Sequence, residues 1–259
     1  MRKLAVMVTV ALALAVVVPA QAQNSIGVNL SNPGTDGSSY YSGMGLTPTD
    51  VAGVVPQANW NNWDADAWDT IGPLYEWDGN EYTASDPQQY KDSAGNLIDL
   101  AVSYAFGGNT GSAGGSQTTA DNKMMSGVFQ VGGSPDATAT ISMSNVPYDA
   151  YDVIAYMPEP GGHSGEHILT ATDGTTTYYI DSSGGSDPYV ESTATSEGEV
   201  TGEANYVTFS GLSGDTMLTF SNNGTAWKGG VAGLQIVEIV DALDGDYNDD
   251  GFVAQGDLD

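Results

Sequence analysis

Twelve residues near the C-terminus are spaced as oxygen ligands for a hard cation. They run Asp246-Tyr247-Asn248-Asp249-Asp250-Gly251-Phe252-Val253-Ala254-Gln255-Gly256-Asp257. Asp246, Asn248 and Asp250 stand at loop positions 1, 3 and 5. Gly251 at position 6 permits the sharp turn that brings their oxygens together. Phe252 at position 7 offers its backbone carbonyl, Val253 at position 8 anchors the loop from beneath, and Asp257 closes it at position 12. A cation taking six to eight oxygens fits this spacing, and calcium is its usual occupant. The competing reading is a solvated acidic tail; the glycine at position 6 and the valine at position 8 favour the loop.

These residues resemble the calcium loop of a dockerin type I repeat, a secreted relative of the EF-hand. Asp257 fits the dockerin version, since EF-hands usually carry Glu there. Ala254 at position 9 departs from it, and a water is expected in that place. Dockerins have two loop-helix repeats, and the sequence holds one loop. Residues 240–245 are too short and too rich in Gly and Asp for a stable helix. The resemblance implies a partial repeat over residues 241–259, calcium as the cofactor, and a cohesin-like protein as partner if the repeat is completed.

The elements that carry this loop begin after a leader. Arg2 and Lys3 precede an almost unbroken apolar run from Leu4 to Val18, and Ala20-Gln21-Ala22 is an A-x-A cleavage site. Residues 1–22 read as a secretory signal peptide, so the expected location is extracellular or at the cell surface. No later run is long enough to span a membrane. There are no cysteines, so an exported chain here uses no disulfides.

Charge narrows the partners. The formal net charge is −28; without Arg2 and Lys3, three lysines (Lys91, Lys123, Lys228) face 33 acids. Nucleic acid and anionic membranes need Lys and Arg to displace counterions, which makes them poor partners. Cation binding, solubility in a salty medium and plain surface solvation remain.

After residue 23 no window holds a convincing helical stripe. Short β-branched and aromatic runs alternate with turn clusters, the pattern of an antiparallel sandwich or barrel. Strands are expected over 25–30, 51–55, 97–106, 127–131, 137–143, 151–157, 168–172, 175–180, 189–193, 205–209, 216–220 and 230–240. Asp173-Gly174 predicts a type I′ hairpin turn. Residues 107–115 read as a mobile loop.

Several segments also resemble an uncharacterised module of secreted planctomycete-type bacterial proteins, often found just before a dockerin-like C-terminus. They are Ala52-Gly-Val-Val-Pro-Gln-Ala-Asn-Trp-Asn-Asn62, Asp121-Asn-Lys-Met-Met-Ser-Gly127, Tyr151-Asp-Val-Ile-Ala-Tyr156, Asn205-Tyr-Val-Thr-Phe-Ser-Gly-Leu212 and Gly230-Val-Ala-Gly-Leu-Gln-Ile-Val237. The resemblance implies a galactose-binding-like jelly roll over residues 24–240 and brings no catalytic residues with it. The expected fold is therefore all-β, an antiparallel β-sandwich with a short C-terminal calcium-loop tail.

The densest aromatic stretch holds Trp60, Trp63, Trp68, Tyr75, Trp77, Tyr82 and Tyr90 among Asn59, Asn61, Asn62 and several carboxylates. Flat rings stack on the apolar faces of pyranoses, while amides and carboxylates meet their hydroxyls, so the mixture suits an extracellular polysaccharide or glycan. The alternative is that these rings are core, as Trp and Tyr commonly are. Trp60, Trp63, Trp68, Trp77 and, in a later loop, Trp227 are the candidate ligand-binding residues. Asp64/Asp66 and Asp78/Glu81 are the carboxylate pairs a glycosidase could use.

His163-Ser-Gly-Glu166-His167 spells H-x-x-E-H, which binds zinc only on a helix. A preceding Pro-Glu-Pro-Gly-Gly and the internal Gly165 argue against one. No nucleophile elbow or phosphate loop is present. Three readings remain: a non-catalytic carbohydrate-binding module, a polysaccharide-degrading enzyme on the same sandwich, and an acidic structural matrix protein. Sandwiches host all three.

Overall fold

The computed structural model describes residues 23–30, 45–63, 74–77, 82–84, 89–106, 110–112, 118–131, 138–158, 168–182, 189–222 and 230–240. The segments expected to form a signal peptide (1–22) and a calcium loop (241–259) lie outside these residues, as does His163-Ser-Gly-Glu166-His167.

The chain enters through β1 (Ser25–Asn29) and continues into β2 (Asn61–Trp63), β3 (Leu74–Trp77) and β4 (Tyr82–Ala84). A small hairpin joins β5 (Tyr90–Lys91) to β6 (Leu97–Ile98). Then come β7 (Ala101–Phe106), β8 (Thr110–Ser112), the helix α1 (Ala120–Met124) and β9 (Gly127–Gln130). The second half holds β10 (Thr138–Ser144), β11 (Tyr151–Tyr156), β12 (Ile168–Thr172) and β13 (Thr177–Asp181). It ends with β14 (Tyr206–Leu212), β15 (Thr216–Asn222), β16 (Gly230–Val231) and β17 (Gly233–Glu238).

The fold is all-β, a sandwich of largely antiparallel sheets. Seven strands lie in the order β14-β11-β17-β1-β2-β3-β4 and five in the order β13-β12-β15-β10-β7; β16-β9-β8 and β5-β6 are smaller sheets. Among the described strands, one pair departs from the antiparallel expectation: β1 and β2 run parallel, with Val28 opposite Asn61 and Asn29 opposite Asn62. Alternation builds the main core. β10 reads Thr138-Ala-Thr-Ile-Ser-Met-Ser144, and Ala139, Ile141 and Met143 are buried while their neighbours are not. They join Val153 and Ala155 of β11, Leu218 and Phe220 of β15, and Leu234 and Ile236 of β17 in one cluster between the sheets.

A second cluster covers the opposite face of β11, β17 and β1. Leu46, Ala52, Trp60, Met124 and Met125 come from residues 45–60 and from α1 with its C-cap, and they pack on Ile154, Tyr156 and Val237. All five residues of β1 are therefore buried, with no polar-out alternation. Helix α1 was not expected. Thr119 caps it by accepting from the Asn122 N–H at 3.1 Å, but five residues are too few for a 3.6-residue period to show.

Four local expectations are corrected. Residues 51–55 form a turn closed by mutual hydrogen bonds between Ala52 and Gln57 rather than a strand; the Val54 and Val55 N–H groups donate to Tyr156 and Gln235 side chains instead of a ladder. Residues 189–193 form no strand because their hydrogen bonds are split between sheet edges: Ser192 donates its N–H to Tyr206 O of β14 and its hydroxyl to Tyr179 O of β13. Within the expected loop 107–115, β8 pairs with β9. At Asp173-Gly174 only the glycine has positive φ, +88°, and Asp173 donates to Thr176 O. That places Gly174 first of two central residues, the type II′ pattern, whereas type I′ needs both positive.

Candidate functional site

Two rings of the expected sugar platform, Trp60 and Trp63, are core residues. Trp60 is 5 % exposed and Trp63 1 % exposed, so neither presents a face to a ligand. Trp60 lies in the second cluster and donates its indole N–H to Gln57 O at 3.1 Å. Trp63 lies in the main core and donates to the Tyr90 hydroxyl at 2.7 Å. The asparagines between them are also consumed. Asn61 bridges strands as a surrogate peptide, donating to Gly27 O and Lys91 O and accepting from the Lys91 N–H. Asn62 does the same for Leu46 and also accepts from Asn29. Asn59 adopts φ +56° and donates to Ser93 O. These amides repair backbone pairing where short strands leave it incomplete.

Tyr75, Trp77 and Tyr82 fall on the β3-β4 hairpin at the end of the seven-stranded sheet. The register sets Trp77 opposite Tyr82 and Tyr75 opposite Ala84. Trp68, Trp227, both carboxylate pairs and the residues expected to hold a metal, Asp246, Asn248, Asp250, Phe252 and Asp257, lie outside the described residues.

A candidate site absent from the sequence reading stands on the second cluster. Its floor is a polar network buried in apolar surroundings. Gln235 on β17 is fully buried and accepts from the Tyr156 hydroxyl at 2.8 Å and the Val55 N–H at 3.3 Å. It donates to Val55 O and to Gln57 Oε1. The Tyr156 hydroxyl in turn accepts from the Val54 N–H at 2.8 Å. Each member has partners, as burial requires.

Above this floor lie two partly exposed rings. Tyr189 and Tyr206 have centroids 6.3 Å apart and meet at 88°, and both pack near Tyr156. The Tyr189 hydroxyl donates to Asp121 Oδ1 and accepts from the Gly53 N–H. Burial raises the Tyr189 pKa, and the hydrogen bond to Asp121 and the nearby charge raise it further. Burial also raises that of Tyr206, helped by the Glu191 carboxylate. Val190, 41 % exposed, adds an apolar edge. Across the cap, Lys123 of α1 pairs with Asp50 at 3.0 Å. Burial opposes ionisation of Asp50, but the hydrogen bonds from Thr47 and Lys123, with the lysine charge, hold its carboxyl below the ordinary value.

The chain matches no family model, and no curated protein matches it. Two aromatic rings bounded by the carboxylates of Asp121 and Glu191 can hold a polyhydroxylated ring, with carbon faces against the phenols and hydroxyls donating to the carboxylates. Tyr189 and Tyr206 are separated by sixteen residues in the sequence and meet because the Asn205 and Tyr206 N–H groups donate to Val190 O and the Ser192 N–H donates to Tyr206 O. A threonine two residues before Asp121 was the one sequence signal for the helix start that brings the carboxylate there.

Proposed function

We propose that this chain is a secreted, non-catalytic module that binds extracellular carbohydrate and carries a calcium-binding, dockerin-like C-terminus. The observation that supports the sugar reading is the Tyr189–Tyr206 pair bounded by Asp121 and Glu191. It offers the aromatic and acceptor chemistry first sought in the Trp60–Tyr90 stretch, on residues that are partly exposed. In the tail, Asp246, Asn248, Asp250, Asp257 and the Phe252 carbonyl would hold the cation, and a completed repeat would take a cohesin-like partner.

The test is a glycan array probed with the full chain and with Tyr206→Ala and Glu191→Gln. Binding to one glycan class that both substitutions weaken supports the reading. Binding that neither changes moves the site elsewhere, and no binding to any glycan removes the reading.

A further inference from the structure

On the opposite side of the sandwich, the outer face of the five-stranded sheet lacks the charge that dominates the chain. Alternation identifies this face, because Ala139, Ile141, Leu218, Phe220, Leu169 and Ala171 point into the core. The residues between them form rows across the strands. Thr172 of β12, Thr219 of β15 and Thr140 of β10 stand in register, and Thr170, Ser221 and Thr138 form the next row. Ser142 continues the face beside Met217, which is 55 % exposed.

Three facts separate this face from ordinary solvated surface. First, among its described residues it holds no Lys, Arg or Glu and one acid, Asp181, which is 9 % exposed at a corner. The whole sequence has 33 acids. Second, the side-chain hydroxyls of Thr138, Thr140, Thr170, Thr219 and Ser221 make no hydrogen bond within the described protein, so each has a donor and acceptors to offer outward. Hairpin geometry, by contrast, occupies Thr172, whose hydroxyl donates to Thr176 O. Third, a large apolar side chain, Met217, stands exposed among these hydroxyls.

We propose that this face is a second binding surface and that its occupant is an uncharged polysaccharide. The inference rests on the carbohydrate reading above and adds the ligand class. Area and charge choose this occupant over a second copy of the chain. Five strands spaced about 4.8 Å apart, presenting about 20 Å of length each, give roughly 400 Å². That is about half of what each partner of a standard stable protein interface buries. Two copies of a chain of net charge −28 would also repel. An anionic polysaccharide meets the same repulsion, whereas a neutral one meets hydroxyl donors and acceptors in rows with an apolar contact at one side.

The test is electrophoresis of the full chain through gels containing galactomannan, hydroxyethyl cellulose or alginate, with sedimentation velocity on the same samples. Retardation by a neutral polymer and not by alginate is expected. Thr140→Glu/Thr219→Glu should abolish it, and Thr140→Val/Thr219→Val, which removes hydroxyls without adding charge, should weaken it. Circular dichroism checks that both variants remain folded. If Tyr206→Ala abolishes retardation and the threonine variants do not, the Tyr189–Tyr206 site stands and the second face falls. If the threonine variants abolish it and Tyr206→Ala does not, the second face stands alone. Retardation by alginate alone, no retardation by either neutral polymer, or a dimer that the glutamate variant dissociates would overturn the proposal.

Discussion

The indole of Trp60 occupies the space that a side chain at position 27 would fill. A Cβ built on Gly27 meets Cδ2 and Cε3 of Trp60 at 2.5 Å and Nε2 of Gln57 at 2.7 Å. This contact seats residues 45–60 on the outer face of β1. Gly27→Ala is therefore overpacked, with an expected cost of about 1–3 kcal/mol. Trp60→Ala leaves a void instead, at about 3–5 kcal/mol. Urea unfolding of each variant measures both. A neutral Gly27→Ala would show that the Trp60 seat can move.

Gln235 is the polar counterpart of that seat. Gln235→Leu removes four hydrogen bonds and strands groups of Val55, Gln57 and Tyr156 in an apolar setting. At about 1–3 kcal/mol for each buried group left unpaired, the loss should reach roughly 3 kcal/mol or more. Adding Gln57→Leu removes one stranded partner, so the double variant should lose less than the sum of the two singles. A thermodynamic cycle from denaturant melts reads this coupling.

These two residues also show what was legible in the sequence. Where one strand face is buried, as in β10 and β12, alternation was plain and the strands lie where expected. Where both faces are buried, as in β1 and β17, alternation disappears and the cap above them leaves no periodic trace. Trp60 and Trp63 looked like ligand-binding residues because composition does not distinguish a ring stacked on a glycine from one stacked on a sugar. β2 was missed for a related reason, since Asn61 and Asn62 complete its pairing with side chains, and β3 and β4, of four and three residues, are too short for alternation to show.

Alkaline pH should unfold the protein through its tyrosines. Seven described phenols, Tyr90, Tyr104, Tyr148, Tyr151, Tyr156, Tyr189 and Tyr206, have raised pKa values, each mainly through burial. In the unfolded chain they deprotonate near pH 10, whereas the folded chain holds those protons to higher pH. Above about pH 10 the folded state binds more protons, so their contribution is complete below that pH and is lost as pH rises. Tyrosinate absorbance should lag and then rise together with loss of near-ultraviolet circular dichroism. A smooth titration with the fold retained would contradict the burial.

The Asp50–Lys123 pair gives the opposite pH dependence. Its side chains are 22 % and 26 % exposed, and the Asp50 carboxyl is held below its ordinary value. Its contribution is present above the unfolded carboxyl's titration range and is lost as pH falls through the lower folded value. For a partly exposed pair the size is about 1 kcal/mol or less. Lys123→Met should lower stability by that amount at neutral pH and have little effect at a pH below the lowered Asp50 value, where the carboxyl is protonated in both states. Melts at the two pH values decide it, and an equal loss at both would assign the effect to packing of the lysine stem.

Calcium binding should belong to the tail and be separable from the sandwich. An extracellular single loop is expected to hold calcium with a Kd of roughly 10⁻⁴–10⁻³ M. Asp246→Ala in the full chain removes the ligand at position 1, so titration calorimetry should find the site in the parent and lose it in the variant. A ligand stabilises only the unit whose folded state binds it. Calcium should therefore leave the sandwich melting transition unchanged in both chains. A calcium-dependent rise in that transition, abolished by Asp246→Ala, would instead tie the loop to the domain as one cooperative unit. Binding that survives the substitution would place a cation site on the sandwich, where metal-assisted sugar binding would become the reading to test.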